Sequence, residues 1–294
     1  MLAADGGNAA RYPAQEQVGG DCKIPSIVYY DQHGTPRAFG AEALQDHIIE
    51  QAEDEQWVKL EWCVPNPDRL PYGLTRNVAR WKLHLRAKHL AASHIADDDV
   101  PPIPFGKSAV DVLADFMRYL FHCMQKYIED SHGTNLWKSV ENHIEYVLTH
   151  PNGWEGPQQK QIRRAATVAG LVSSSPESQD RVHLLTEGEA SLHYCVSNIL
   201  ASDALSRMPI IASEHSGQEE EQPREQGVVV IDAGGGTIDL SAYSMRLSPA
   251  SFEEIAPAEC EYADKGVVTS NLTITRSLAR ICIGYAEGCR PAQK

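Results

Sequence analysis

No two cysteines in this chain stand at C-x-x-C spacing, and the seven thiols are odd in number. That pattern suits reduced side chains and offers neither a disulfide framework nor a thiolate zinc site. The twelve histidines form neither H-x-x-x-H nor H-E-x-x-H, so a zinc-dependent hydrolase has no anchor. There is no G-x-S-x-G turn on which to build an acyl-transfer triad. Apolar runs stay far short of bilayer length, and no early basic segment leads into one. The expectation is a cytoplasmic protein without a membrane partner. Positive charge is also scarce, 26 Lys and Arg against 40 Asp and Glu, a formal net charge of −14. Such a surface repels a phosphate backbone, and no basic stripe interleaved with aromatics offsets it, so nucleic acid is excluded as a partner.

What is present is a packable core and one loud motif. With 42% hydrophobic residues in 294, the chain holds one large or two ordinary domains. The motif is Val228-Val229-Val230-Ile231-Asp232-Ala233-Gly234-Gly235-Gly236-Thr237-Ile238-Asp239-Leu240, which reads as strand, glycine turn and strand, with an acid at each edge of the turn. The unbroken apolar run before Asp232 suits a strand buried on both faces, and alternation resumes through Ile238, Leu240 and Ala242. Gly234, Gly235 and Gly236 remove every Cβ from the turn, so successive N–H groups are free to converge on an anion. Asp232 has the chemistry to hold a hydrated Mg²⁺, an ion that keeps several waters and takes one or two carboxylates beside phosphate oxygens. Thr237 supplies a hydroxyl to a phosphate oxygen or a water. The plain alternative is a hairpin whose glycines serve only turn geometry. The pattern D-x-G-G-G-T-x-D, with six of eight positions specified, favours phosphate binding.

Other segments organise the chain without adding chemistry. Residues 1–20 are small, polar and aperiodic, which predicts a disordered terminus. A hairpin is expected from Ile24 to Phe39, a helix from about Ala41 to Ala52, and a strand where Trp81, Leu83 and Leu85 alternate. Gly106-Lys107-Ser108 imitates the end of a P-loop, but Pro101 stands where that motif needs its first glycine, so the segment reads as a cap for a helix running to about Ile128. A short helix near Leu136, a strand over Tyr146 to Thr149 and a turn at Asn152-Gly153 follow. A helix from Pro157, a loop over Ser173 to Asp180 and a strand over Val182 to Leu185 come next. Ser213 to Gln226 is charged and apolar-poor, a solvated loop rather than a catalytic acid cluster. The tail after Phe252 shows weak strand character only around Leu272 to Ile274.

The glycine hairpin resembles the second phosphate-binding motif of the actin, hexokinase and heat-shock-70 ATPase superfamily, within it the heat-shock-70 family. A second stretch agrees in order and spacing: Leu148-Thr149-His150-Pro151, then Gln158 to Leu171, then Leu184-Leu185-Thr186-Glu187-Gly188-Glu189-Ala190-Ser191-Leu192-His193-Tyr194. It resembles that family's strand, helix, strand and E-P-x-A-A connecting helix, with Gly188 in place of the usual proline. Lys23 to Tyr30 and Phe39 to Ala43 resemble its opening hairpin more loosely. The resemblance implies an α/β fold with ribonuclease-H-like, actin-type ATPase lobes. The first lobe spans residues 21–200 and is largely present, 201–226 form a crossover and acidic loop, and 227–294 start an incomplete second lobe.

The same resemblance implies ATP or ADP with Mg²⁺. Asp232, Glu187 and Thr237 would be the catalytic set, Gly234 to Gly236, Thr237 and Asp239 the nucleotide contacts, and Asp232 and Glu187 the holders of Mg²⁺ through water. It also implies a client or co-chaperone partner. Two family parts, an opening D-x-G-T-T turn and a G-G-S-S-R-type adenosine loop, do not occur, and no lysine takes the catalytic place. Phosphoryl transfer needs charge neutralisation from several sides at once, so the expectation is a nucleotide-binding fragment whose hydrolysis is in doubt. The alternative is a catalytically inactive interaction platform that keeps the fold.

Overall fold

A computed structural model of the chain describes residues 12–15, 24–61, 79–80, 84–85, 102–200, 226–233, 237–247 and 250–262. The architecture is mixed α/β, compatible with an actin-type ATPase fold. Two compact units divide the chain: Met1–Leu148, Trp154–Leu184 and Asp264–Val267 form one, and Thr149–Gly153, Leu185–Ala263 and Val268–Lys294 the other.

The first unit is built on β1 (Ile27–Tyr30), whose sequence IVYY is buried at all four positions. Period-two alternation sends its side chains to opposite faces. Val28 and Tyr30 join a core with Leu60, Val112, Met117 and Ile162, while Ile27 and Tyr29 join a smaller one with Ala38, Ala43 and Ala52. The strand is therefore covered on both faces. It pairs antiparallel with β2 (Pro36–Phe39) and with β3 (Val58–Glu61), and β3 pairs parallel with β4 (Ala79–Arg80). Asp31 fixes the β1–β2 turn: its Oδ1 accepts from the N–H groups of His33 and Thr35 at 2.8 and 2.9 Å, and its Oδ2 pairs with Arg37 at 2.6 Å. The Thr35 N–H, then Arg37 and the His33 N–H, hold the Asp31 carboxyl below the usual carboxylate range.

Helix boundaries follow local backbone geometry and, at α2, a side-chain cap. The helix expected from Ala41 is a 3₁₀ turn over Glu42–Leu44, an extended Gln45 (φ −73°, ψ 138°), and only then α1 (Asp46–Asp54). The short turn seats Ala43, fully buried, in the smaller core before the helix begins. α2 (Ala109–His132) opens on a complete capping box, with the Asp111 N–H donating to Ser108 Oγ at 3.2 Å and the Ser108 N–H donating to Asp111 Oδ2 at 2.8 Å. Ser108 Oγ also donates to Asp111 Oδ2 at 2.7 Å, and this bond, then the one from the Ser108 N–H, pulls the Asp111 carboxyl down. α2 runs four residues past the expected end and stops at Gly133, whose φ of +84° suits glycine.

α3 (Thr134–Val140) and α4 (Gly156–Ala169) pack on α2. Small residues on α4, Ala165, Ala166 and Ala169, are buried there, and they permit a close approach between helices. The loop expected over Ser173 to Asp180 contains one helical turn, α5 (Pro176–Gln179), capped by Ser175. Where a strand was expected at 81–85, the described backbone has β4 at 79–80 and a 3₁₀ turn at 84–85.

A charged network crosses this unit. Asp115, on α2 and 9% exposed, accepts from Tyr30 Oη at 2.9 Å, Lys107 Nζ at 2.9 Å and Arg118 Nη1 at 2.8 Å. Lys107 also lies 4.8 Å from the Tyr30 ring centroid, a cation over an aromatic face. Lys107 and Ser108 thus serve an ion pair and a helix cap. Burial, followed by the Asp115 charge, pushes the Tyr30 phenol far above its ordinary range.

β5 (Tyr146–His150) and β6 (Val182–Thr186) form a two-stranded sheet, and α6 (Glu187–Leu200) follows β6 without a break. The second unit is an antiparallel sheet of β7 (Gln226–Ala233), β8 (Thr237–Leu247) and β9 (Ala250–Tyr262), in that order, with α6 packed on one face. β9 is longer than any strand expected of the tail, while the segment Leu272 to Ile274 and most of the acidic stretch Ser213 to Gln226 lie outside the described residues.

Candidate functional site at the glycine hairpin

β7 and β8 form the expected hairpin. Val228 stands opposite Tyr243, Val230 opposite Ser241, Asp232 opposite Asp239 and Ala233 opposite Ile238. The last pair leaves Gly234, Gly235, Gly236 and Thr237 between the paired positions, and the three glycines themselves lie outside the described residues. Positions 232 and 239 are thus one cross-strand pair that ends the row 228/243 and 230/241 at the mouth of the turn.

α6 lies along this row. Leu192 and Val196 pack with Val228, Tyr243 and Met245, and Phe252 of β9 joins from the side. Gly188, Leu192 and Val196 follow one another at intervals of four, a single stripe of the helix. One turn before Leu192, that stripe brings Gly188 onto Ser241. A Cβ at Gly188 would stand 2.1 Å from Ser241 Oγ, 3.1 Å from Ser241 Cβ and 3.2 Å from Asn152 Oδ1. No other residue fits without displacement, which accounts for glycine where the resemblance expects proline.

Asn152 completes the contact. It is fully buried; its Nδ2 donates to Ser241 Oγ at 2.9 Å and to the Leu240 carbonyl at 3.2 Å, and its Oδ1 accepts from the Gly188 N–H at 3.4 Å. Thr186 Oγ1 accepts from the Glu189 N–H at 3.1 Å, the N-cap interaction that starts α6. Burial raises the Tyr243 phenol, and hydrogen bonds with Ser241 and Thr186 offset part of that rise. The polar side chains here are neutral and mutually satisfied, as burial demands.

Of the residues singled out from sequence, the fold places Asp232 and Asp239 across from one another. Glu187 is the first residue of α6, adjacent in sequence to the glycine seated on Ser241. Ser241 is two residues along β8 from Asp239, about 7 Å at strand rise. An acid in the first turn also complements the positive end of the helix. Thr237 opens β8. The residue that sequence reading passed over is Asn152, taken only as part of a turn. Its signal, a polar residue directly after Pro151, is too common to stand out. Among the described residues no group of three or more histidine, cysteine or carboxylate side chains could hold a metal ion, and no helix is long and apolar enough to cross a membrane.

Comparison with known proteins agrees with the hairpin's resemblance. Heat shock 70 kDa protein 12A of Mus musculus is 24% identical over 270 residues, 80% of this chain and 36% of that protein. The Homo sapiens protein of the same name gives the same identity and coverage. Heat shock 70 kDa protein 12B of Homo sapiens is 26% identical over 207 residues, 59% of this chain and 29% of that protein. No protein-family model matches the chain. The chain is thus a distant relative of heat-shock-70-like proteins and spans 36% or less of the length of those it matches.

Proposed function

We propose that this chain is part of the nucleotide-binding region of a divergent heat-shock-70-like ATPase, with Mg·ATP held at the mouth of the β7–β8 hairpin. One observation carries the reading: positions 232 and 239, both aspartate, pair across a turn of three glycines and a threonine, with Gly188 of α6 seated one row away on Ser241. The donor set suits the group. Carboxylates at positions 187, 232 and 239 and a glycine turn rich in backbone N–H groups are the donor types that a hydrated divalent cation bound to phosphate takes. In this reading Gly234 to Gly236 donate backbone N–H groups to phosphate oxygens and Thr237 donates its hydroxyl. Asp232 and Glu187 hold metal-bound waters, and Asp239 braces the turn or bonds its neighbour. Bound Mg²⁺ would supply neutralisation of phosphate charge. In this reading residues 21–200 belong to the first actin-type lobe and 227–294 start the second, and the client or co-chaperone partner and cytoplasmic location go with the family reading.

Calorimetry on the full chain with Mg·ATP tests this. Wild type should bind, and Asp232→Ala and Gly235→Val should each weaken binding at least about tenfold, the scale of one lost charge-assisted contact. No wild-type heat at millimolar nucleotide overturns the reading and leaves the inactive interaction platform in its place.

A further inference from the structure

We propose that Asn152 is a positioning residue for the nucleotide site: it locks the first turn of α6 against β8 and so sets where Glu187 stands relative to Asp232. This rests on the nucleotide reading above. Asn152 joins three separate stretches of the second unit: the 149–153 segment that carries it, α6 through the Gly188 N–H, and β8 through Ser241 Oγ and the Leu240 carbonyl. It is fully buried and Ser241 is 3% exposed, so water cannot replace these bonds.

The lock has two complementary parts. The amide holds α6 and β8 together, and the missing Cβ of Gly188 lets them come that close, since a methyl group would meet Ser241 Oγ at 2.1 Å. The apolar contacts of Leu192 and Val196 lie one and two turns further along α6 and fix the helix on the sheet there. Neither specifies the placement of the first turn, where Glu187 stands. Hydrophobic contact is non-directional, whereas an amide with both donor and acceptor engaged admits one register.

The test uses hydrogen exchange and nucleotide affinity on the full chain, with and without Mg²⁺. In Asn152→Ala, exchange of the amides at 187–189 should rise about tenfold, as expected when one net hydrogen bond is lost. The Mg²⁺-dependent part of ATP affinity should fall about tenfold while Mg²⁺-free ATP binding holds, because only the metal-bound waters depend on Glu187. Gly188→Ala gives an independent handle. Alanine is the better helix former, so an unobstructed position would gain stability, whereas the clash predicts loss of the Mg²⁺-dependent affinity. Unchanged exchange in Asn152→Ala overturns the lock. Faster exchange with full Mg²⁺ dependence overturns the positioning role. Wild type that binds no nucleotide under either condition overturns the nucleotide reading and the positioning role with it, and exchange alone then decides whether the lock exists.

Discussion

The two units bury polar groups in opposite ways. In the first, Asp115 sits among Tyr30, Lys107 and Arg118, so a charge is neutralised by charges far from the glycine hairpin in sequence. In the second, Asn152, Ser241, Thr186 and Tyr243 are neutral, and they stand beside the hairpin. A charged network loses a great deal when one member goes, because the partners keep their charge without a counter-ion. A neutral amide network costs less to break but fixes direction. The first arrangement suits holding a fold, the second suits holding a geometry.

Substitutions can break that contrast in order of size. Asp115→Ala should cost about 3–5 kcal/mol in urea denaturation, since it strands Lys107 and Arg118 beside an unpartnered Tyr30 hydroxyl. Leu192→Ala, at a fully buried position of the second unit, should cost about 2–5 kcal/mol by the same measurement. Ser108→Ala removes half of the α2 capping box and should cost about 1 kcal/mol. Arg37→Ala breaks a pair whose arginine is 48% exposed, so its thermal shift should correspond to under about 1 kcal/mol and shrink further in high salt.

Acid sharpens the comparison. Asp31 and Asp111, both in the first unit, have lowered folded-state values, so the unfolded chain binds protons first. Their contribution is complete above the ordinary aspartate value of about 3.9 and disappears as pH falls through the lower folded values. Far-ultraviolet circular dichroism between pH 5 and 2 (a range set by about 3.9 for free aspartate) should show stability falling in wild type and less steeply in Asp111→Asn. At the other extreme, phenols such as Tyr30 and Tyr119 are raised by burial, so the folded state keeps protons that the unfolded state gives up. Stability should therefore decline above about pH 10.

Local physics made much of this legible in sequence. The β1–β2 hairpin, the Ser108 cap of α2 and the β7–turn–β8 hairpin all rest on residues within a few positions of one another. What stayed hidden depends on distant partners. Asn152 and Ser241 are 89 residues apart, and nothing near either announces the other. The glycine at 188 was visible, but its reason lies on β8. β9 escaped because Glu253, Glu254, Pro257, Glu259 and Glu261 interrupt the apolar alternation by which a strand is usually found, and its pairing with β8 overrides that weak propensity. The late start of α1 came from an extended Gln45 that no propensity predicts.

β9 carries a further consequence. Among the described residues it pairs with β8 along one side, and an unpaired side of a long strand is a template on which other chains can stack. The exposed Glu253 and Glu254 place like charges along that rim, so a second copy approaching edge to edge meets repulsion before any backbone bond forms. Acidity that disguises a strand in a sequence is thus also a device against edge-to-edge stacking.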